Sequence, residues 1–355
     1  MGSRRLCRED YSVGWVSALP IELAAAQLML DEEHQNLDLN LNDTNVYTLG
    51  RIGDHNVVIV CLPTGQTGNN SAAAVVMQMK STFPSIRFGL MVGIGGGVPN
   101  EADIRLGDVV VSEPCNGHGG VVQFDFGKTI PNGFQRTGSL NTPPMILLGA
   151  TSKIRANEIA GRNNFSKYLS KLSNIPAFKR GKAGPDMLFR ASYEHEGGLT
   201  CGFCDKEKLI YRELRKDQEV AVHYGAIASG NQVMKHATTR DVISSQLGGV
   251  LCFEMEAAGL MNIFPCLVIR GICDYADSHK NQKWQPYAAS TAAAYAKEVL
   301  SVIPGSVVAI TPTVGETRER ATVNGPVITF GSNSSGIQIG VNNGPINASF
   351  GERGP

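Results

Sequence analysis

The sequence is short of features that point to large or charged partners. Lysine plus arginine number 32 and aspartate plus glutamate number 32, so the formal net charge is zero. No cationic excess is left over for a nucleic-acid backbone or an anionic membrane surface, and neither partner is expected. No apolar run reaches about 18 residues, the length a bilayer core asks of a helix. No leader-type pattern opens the chain, and a cytoplasmic protein is expected. The eight cysteines are scattered, mostly inside apolar runs, as reduced and buried thiols are. One C-x-x-C occurs, Cys201 and Cys204, with no second pair to complete a zinc site. His195 and His223 lie in the same region at a spacing that singles out neither, so no metal is expected. The glycine-rich loop at 63–70 lacks the lysine of a P-loop; it reads as a phosphate cradle at a helix start, without nucleoside triphosphate chemistry.

What is present begins with Cys252, Phe253, Glu254, Met255, Glu256, Ala257, Ala258 and Gly259. Residues 248–251 read as a strand entering from a turn and 257–263 as a helix. That puts Glu254 and Glu256 near a strand end, where ligand sites of open α/β sheets gather. Residues i and i+2 of a strand share a face. A carboxylate accepts two hydrogen bonds, which suits the vicinal hydroxyls of a sugar; two solvated acids at an exposed strand end fit the same residues. The apolar run at 267–274 carries one arginine, Arg270, and ends in Asp274. An arginine in such a run is costly to bury unpaired, and Glu256 is the expected partner. Asp274 stands where a carboxyl has a raised pKa, as a general acid needs, or where an aspartate caps a turn.

These residues in this order, Phe253, Glu254, Met255, Glu256, Ala257 and then Ile269, Arg270, Gly271, Ile272, Cys273, Asp274, resemble the purine nucleoside phosphorylase/uridine phosphorylase superfamily. Within it the chain is most similar to the branch of methylthioadenosine/S-adenosylhomocysteine nucleosidases, a branch also found in fungal NLR-type immune effectors. The resemblance spans about residues 11–303, with an insert near the middle. It implies a three-layer α/β/α sandwich around a central mixed sheet, and a site for a purine nucleoside or nucleotide. It implies a catalytic set of Asp274 as acid to the base, Glu22 with Arg270 and Glu256 on the attacking water, and no organic cofactor. Glu254, Met255 and Glu256 would meet the ribose, and Gly93, Ile94 and Gly95 would lie under the nucleoside. Val233 and Met234 would face the base, although relatives often carry an aromatic where Val233 stands. Trp284 would pack near the ribose and its 5′ group, or else staple the helix that follows. Lys280 and Lys283 read as solvated lysines, with a charged 5′ substituent as their other use.

One departure bears on the reaction. Phosphorylases of the hexameric branch hold phosphate with an arginine and a serine around the strand that here carries Met91 and Ile94. A desolvated anion needs cationic or N–H partners, so these apolar replacements favour water as nucleophile, with Arg51 the remaining candidate for a phosphate. The expected function is hydrolysis of a purine, preferably adenine, N-glycosidic bond by a homo-oligomer. The alternatives are a phosphorylase of the same fold and a non-catalytic nucleoside sensor.

The expected organisation is a loose N-terminus at 1–10, the nucleoside phosphorylase-like domain at 11–304, a linker at 305–328 and a short motif at 329–350. That motif is uncharged, rich in Asn and Gly, and centred on Ile337, Gln338, Ile339 and Gly340. Such segments stack as in-register strands with Asn/Gln ladders. It resembles fungal amyloid signalling motifs related to the RHIM core, which implies assembly with a receptor carrying a similar motif; a floppy glycine-rich tail is the other reading.

Overall fold

Every residue of Val13–Ser17 and of Cys266–Asp274 is buried. Strands covered on both faces are near-continuous apolar runs, as parallel sheets inside α/β proteins are. In the computed structural model, which describes residues 4–38, 40–131, 133–215 and 220–316, these strands occupy the middle of a mixed sheet. Its order is Val222–Gly225, Val109–Ser112, Cys266–Asp274, Phe88–Gly97, Val13–Ser17, His55–Cys61, Tyr47–Ile52, Glu32–Glu33. Cys266–Asp274, Phe88–Gly97, Val13–Ser17 and His55–Cys61 run parallel. Val109–Ser112 and Tyr47–Ile52 are antiparallel to their inner neighbours.

Alternate residues feed two cores. Val13, Trp15, Leu90, Leu267 and Ile269 face one side; Val16, Met91, Cys266, Val268 and Ile272 face the other. Helices Pro20–Leu28 and Gln285–Ser301 cover the first face, and Asn69–Thr82 lies over the second. The result is a three-layer α/β/α sandwich. Gln285–Ser301 is alanine-rich and buried from Tyr287 through Leu300. Its buried charges are matched, Lys297 by Asp31 and Glu298 by the N–H of Asn164, and Met145–Ile159 and Phe165–Ser173 pack over its outer side.

The long strand Phe88–Gly97 makes a fork. Its end pairs in parallel with Cys266–Asp274, and Gly96 and Gly97 also pair antiparallel with Cys252–Glu254. That short strand then leads to Ile227–Ser229 and Val121–Gln123. Two sheet branches therefore diverge at the carboxyl ends of the parallel strands, where open α/β sheets leave a crevice.

Three local expectations are corrected. The strand lies at Cys252–Glu254 instead of 248–251, because Gly248 and Gly249 adopt positive φ of 77° and 90° and form the preceding turn. The helix expected at 257–263 is a single 3₁₀ turn, Ala257–Gly259. The packed unit does not end at 304: Gly305–Ile310 is helical, Val308 and Val314 are buried, and the unit runs through Val314. The motif expected at 329–350 lies outside the described residues. No helix among the described residues is long and apolar enough to cross a membrane.

Candidate active site

Glu22 enters the crevice because Pro20 starts a helix immediately after the first strand. Proline suits the first helical turn, where its missing N–H has no partner to lose. Two residues later, Glu22 turns back over the helix start. Its Oε2 accepts the N–H groups of Ala18 (2.7 Å) and Leu19 (2.9 Å). Its Oε1 accepts the N–H of Ile94 at 2.8 Å, tying the first strand to the fork.

Arg270 arrives from the neighbouring strand. The parallel register sets it directly opposite Gly93. A Cβ on Gly93 would stand 2.4 Å from Glu22 Oε1 and 2.6 Å from Arg270 Nη1. Only glycine leaves room for the two charged groups to sit side by side over that backbone. Arg270 is 1% exposed. Its Nη2 makes a short hydrogen bond to Glu254 Oε2 and lies 3.5 Å from Glu256 Oε2. The expected partner, Glu256, is thus second to Glu254. The reason is orientation: Glu254 ends the strand pointing at Arg270, and its carboxylate also accepts the N–H groups of Glu256 and Ala257. Glu256 lies past the strand, where its Oε1 accepts the N–H of Gly68 at 3.3 Å.

Three carboxylates thus surround one guanidinium, all of them at most 5% exposed. Burial pushes the Glu22 carboxyl up, opposed by Arg270 and by its three N–H donors. Burial also raises Glu256, to about 7, against the pull of Arg270 and with the help of Glu254 and Glu22.

The crevice encloses a cavity of about 240 Å³. Its lining includes Glu22, Ile94, Gly95, Glu254, Met255 and Glu256, together with Phe253, Val233, Met234 and Lys280. A larger cavity of about 320 Å³ opens on the helical face beside Arg180 and Glu298, away from every residue above. The smaller cavity is the candidate site because the charged cluster opens into it. Asp274 lies directly behind its wall: a Cβ on Gly96 would stand 2.7 Å from Asp274 Oδ1. That oxygen accepts the N–H of Ala276 (2.9 Å), and Oδ2 lies 3.0 Å from Lys280 Nζ. Lys280 is therefore paired with Asp274 and is not a solvated lysine. An ammonium stands beside the carboxylate, unlike the apolar setting expected at that strand end.

Other placements differ from expectation. Trp284 is buried outside the cavity, packed with Tyr287 and Ala183 and stacked under the Arg180 guanidinium at 4.1 Å. It caps the helix Gln285–Ser301, the stapling role. The loop at 63–70 does not present its helix start to a phosphate, because the N–H groups of Gly68 and Asn69 point at Glu256 and Asn231. Arg51 is on the far side of the sheet beside Glu32. Phe253 and Gln232 line the cavity without having been singled out. Phe253 carried the signal, since it is the aromatic of the same motif; Gln232 carried none. The two C-x-x-C cysteines meet His195, with Nδ1 3.2 Å from Cys204 Sγ, while His223 goes to Asp108 at 2.9 Å.

No family model matches the chain. It is 48% identical over 303 residues to a nucleotide-binding leucine-rich repeat (NLR)-like protein of Hyaloscypha variabilis, covering 84% of this chain and 30% of that one. It is 24% identical over 290 residues to the ATP nucleosidase Cap17 of Escherichia coli, covering 79% of this chain and 49% of that one. The chain thus spans a third to a half of the length of these two relatives. Among solved structures, it superposes on the 5′-methylthioadenosine/S-adenosylhomocysteine nucleosidase of S. pneumoniae, bound to a transition-state inhibitor, with a TM-score of 0.54 at 19% identity. That match covers 82% of this chain and all of the other.

Proposed function

We propose that this chain, which has the fold of the 5′-methylthioadenosine/S-adenosylhomocysteine nucleosidases, hydrolyses the N-glycosidic bond of an adenine nucleoside or nucleotide. The observation that carries the reading is the charge balance of the cavity. Glu22, Glu254 and Glu256 face a single Arg270, and all four are buried. Cleaving a glycosidic bond leaves an oxocarbenium-like, positively charged sugar. A preorganised excess of carboxylate in a low-dielectric site stabilises that charge as it develops. The same excess repels phosphate, and the only cationic side chain lining the cavity among the described residues, Lys280, is occupied by Asp274. Water is therefore the nucleophile.

The roles follow from position. Glu256, beside Met255 on the cavity wall, holds the ribose hydroxyls, and Met255 packs beneath the sugar. Glu22 orients and deprotonates the water, with Arg270 fixing the carboxylates around it. Phe253, held edge-on by Phe124 at 5.5 Å, offers the base an aromatic face in place of the one missing at Val233. Asp274, released from Lys280 by the incoming base and protonated from solvent, donates that proton to purine N7. Acid–base help of this kind contributes about 10²–10⁴-fold per group. The likeness to an ATP nucleosidase and to an NLR-like protein supports a wider role: base release from a nucleotide as the output of an immune-type receptor. Assembly into an oligomer through 329–350 rests on the composition of that motif.

Incubation with a panel of adenosine, methylthioadenosine, AMP and ATP, with and without phosphate, tests this. Free adenine and a free ribose product are expected in phosphate-free buffer. Product that forms only with phosphate, as a ribose 1-phosphate, refutes hydrolysis; no base release from any purine substrate refutes the enzyme.

A further inference from the structure

A second cluster of chemistry lies outside the cavity, in the insert before Val222–Gly225. His195 Nδ1 stands 3.2 Å from Cys204 Sγ and 3.8 Å from Cys201 Sγ, and the three ligand atoms lie within 4.8 Å of one another. Both cysteines are free thiols, each 4% exposed. They belong to a satellite core whose only other fully buried member is Phe189, too little apolar surface to hold an insert by burial alone.

An independent observation comes from the segment after Asp274. His279 is 7% exposed, and neither of its ring nitrogens has a hydrogen-bond partner. A buried imidazole left unsatisfied is costly and calls for an explanation. Its ring is held by stacking on Phe189 (4.1 Å between centroids) and Tyr193 (5.5 Å). It meets the His195 ring edge-on at 5.7 Å, and Cys201 Sγ lies 3.9 Å from the His279 carbonyl oxygen. The Asp277 carboxylate lies 3.7 Å from Nδ1. Carboxylates commonly stand so behind metal-bound imidazoles, leaving Nε2 for the metal.

We propose that His195, Cys201 and Cys204 hold a structural zinc ion and that His279, whose ring nitrogens lie outside the 4.8 Å group of the other three, moves in as the fourth ligand and so fastens the insert to the segment carrying Lys280. Two thiolates and two imidazoles are the donor set of closed, tetrahedral zinc sites, and C-x-x-C is the spacing such sites use. Thiolate and imidazole exclude magnesium and calcium, which take oxygen ligands. Binding converts the two thiols to thiolates with release of their protons and involves no redox step. The hydrogen bond from the His195 N–H to Ser278 Oγ (2.9 Å) already joins the two segments that the metal would cross-link. The site does not depend on the reaction proposed above.

The full chain, expressed in zinc-supplemented medium without a metal-binding tag, should carry about one zinc per chain by elemental mass spectrometry. Replacement by Co²⁺ should give thiolate charge-transfer bands and the intense visible absorption of tetrahedral cobalt, a readout that needs no variant. The double substitution Cys201→Ser/Cys204→Ser should abolish stoichiometric zinc, and His279→Gln should weaken zinc binding about tenfold or more. Reduced protein that holds no zinc and takes up neither metal overturns the proposal. So does freshly isolated, metal-free protein whose intact mass shows a Cys201 to Cys204 disulfide. His279→Gln with unchanged affinity and cobalt spectrum overturns the four-ligand assignment.

Discussion

Replacing Glu256 by glutamine isolates the electrostatics of the cavity. Burial raises the Glu256 carboxyl from 4.5 to about 7 in the folded protein. Between those values the native state holds a proton that the unfolded chain has released. Stability is therefore fully present below about 4.5 and falls as pH rises through about 7, the reverse of a salt-bridged carboxylate. At 1.36 kcal/mol per unit, the loss attributable to Glu256 is of the order of 3 kcal/mol. Glu256→Gln keeps the shape and the acceptor for the Gly68 N–H but cannot ionise. Near pH 5 it should match the wild type within about 1 kcal/mol; near pH 8 it should be the more stable by about 2–3 kcal/mol. Urea unfolding followed by the fluorescence of Trp15 and Trp284, both buried, measures the two curves. Glu22 is also raised and acts on Glu256, so the difference between the curves reports Glu256 together with its coupling to the neighbouring carboxylates. Curves that stay parallel from acid to alkaline pH would show that the Arg270 pairing outweighs burial, and the account of the cavity as an excess of buried carboxylate would fail. Catalysis should move the other way: Glu256→Gln should lose turnover while gaining stability, the trade expected of a strained functional group.

Asp274→Asn should remove about 10²–10⁴-fold of kcat with the thermal midpoint little changed, and Glu22→Gln should do the same through the water; base release followed chromatographically decides, and near-normal kcat in Asp274→Asn refutes the acid. Gly93→Ala forces a methyl to 2.4 Å from Glu22 Oε1 and 2.6 Å from Arg270 Nη1, so it should destabilise by about 1–3 kcal/mol and abolish activity; urea midpoints equal to wild type would show that the two charges relax apart. A peptide of residues 329–350 should form fibrils with cross-β diffraction, and Gln338→Pro should prevent them; a peptide that stays soluble when seeded refutes the assembly role.

The sandwich was legible because its strands are buried on both faces and leave uninterrupted apolar runs. Glu254, Glu256 and Glu22 were legible as a group because each sits at or beside a strand end, and strand ends converge; Arg270, in the middle of Cys266–Asp274, was legible as the lone cation of an apolar run. Their pairing was not. Which carboxylate meets Arg270 depends on where Cys252–Glu254 stops, and Gly248 and Gly249 delay it past the expected strand. Trp284 was misplaced because the spacing from Asp274 fixes distance along the chain but not the side of the loop, and a buried site beside Arg180 competes for the ring. His195 and His279 lie on different segments, and sequence spacing carries no sign of their meeting; only the fold reveals it, with the His279 ring stacked on Phe189 and edge-on to His195.

The fork in the sheet has a consequence for when the protein acts. Glu22 follows the first strand of the sheet, and Asp274 closes the last to be made. Between them, Gly93 and the Glu254 pair come from two more strands, so no fragment of the chain holds a working subset. During synthesis the nascent polypeptide carries no complete candidate site until Cys266–Asp274 has left the ribosome and slotted in beside Phe88–Gly97. The helix Gln285–Ser301 must then follow to cover that strand. On the proposed reaction, base release therefore waits until this strand and its covering helix are both in place.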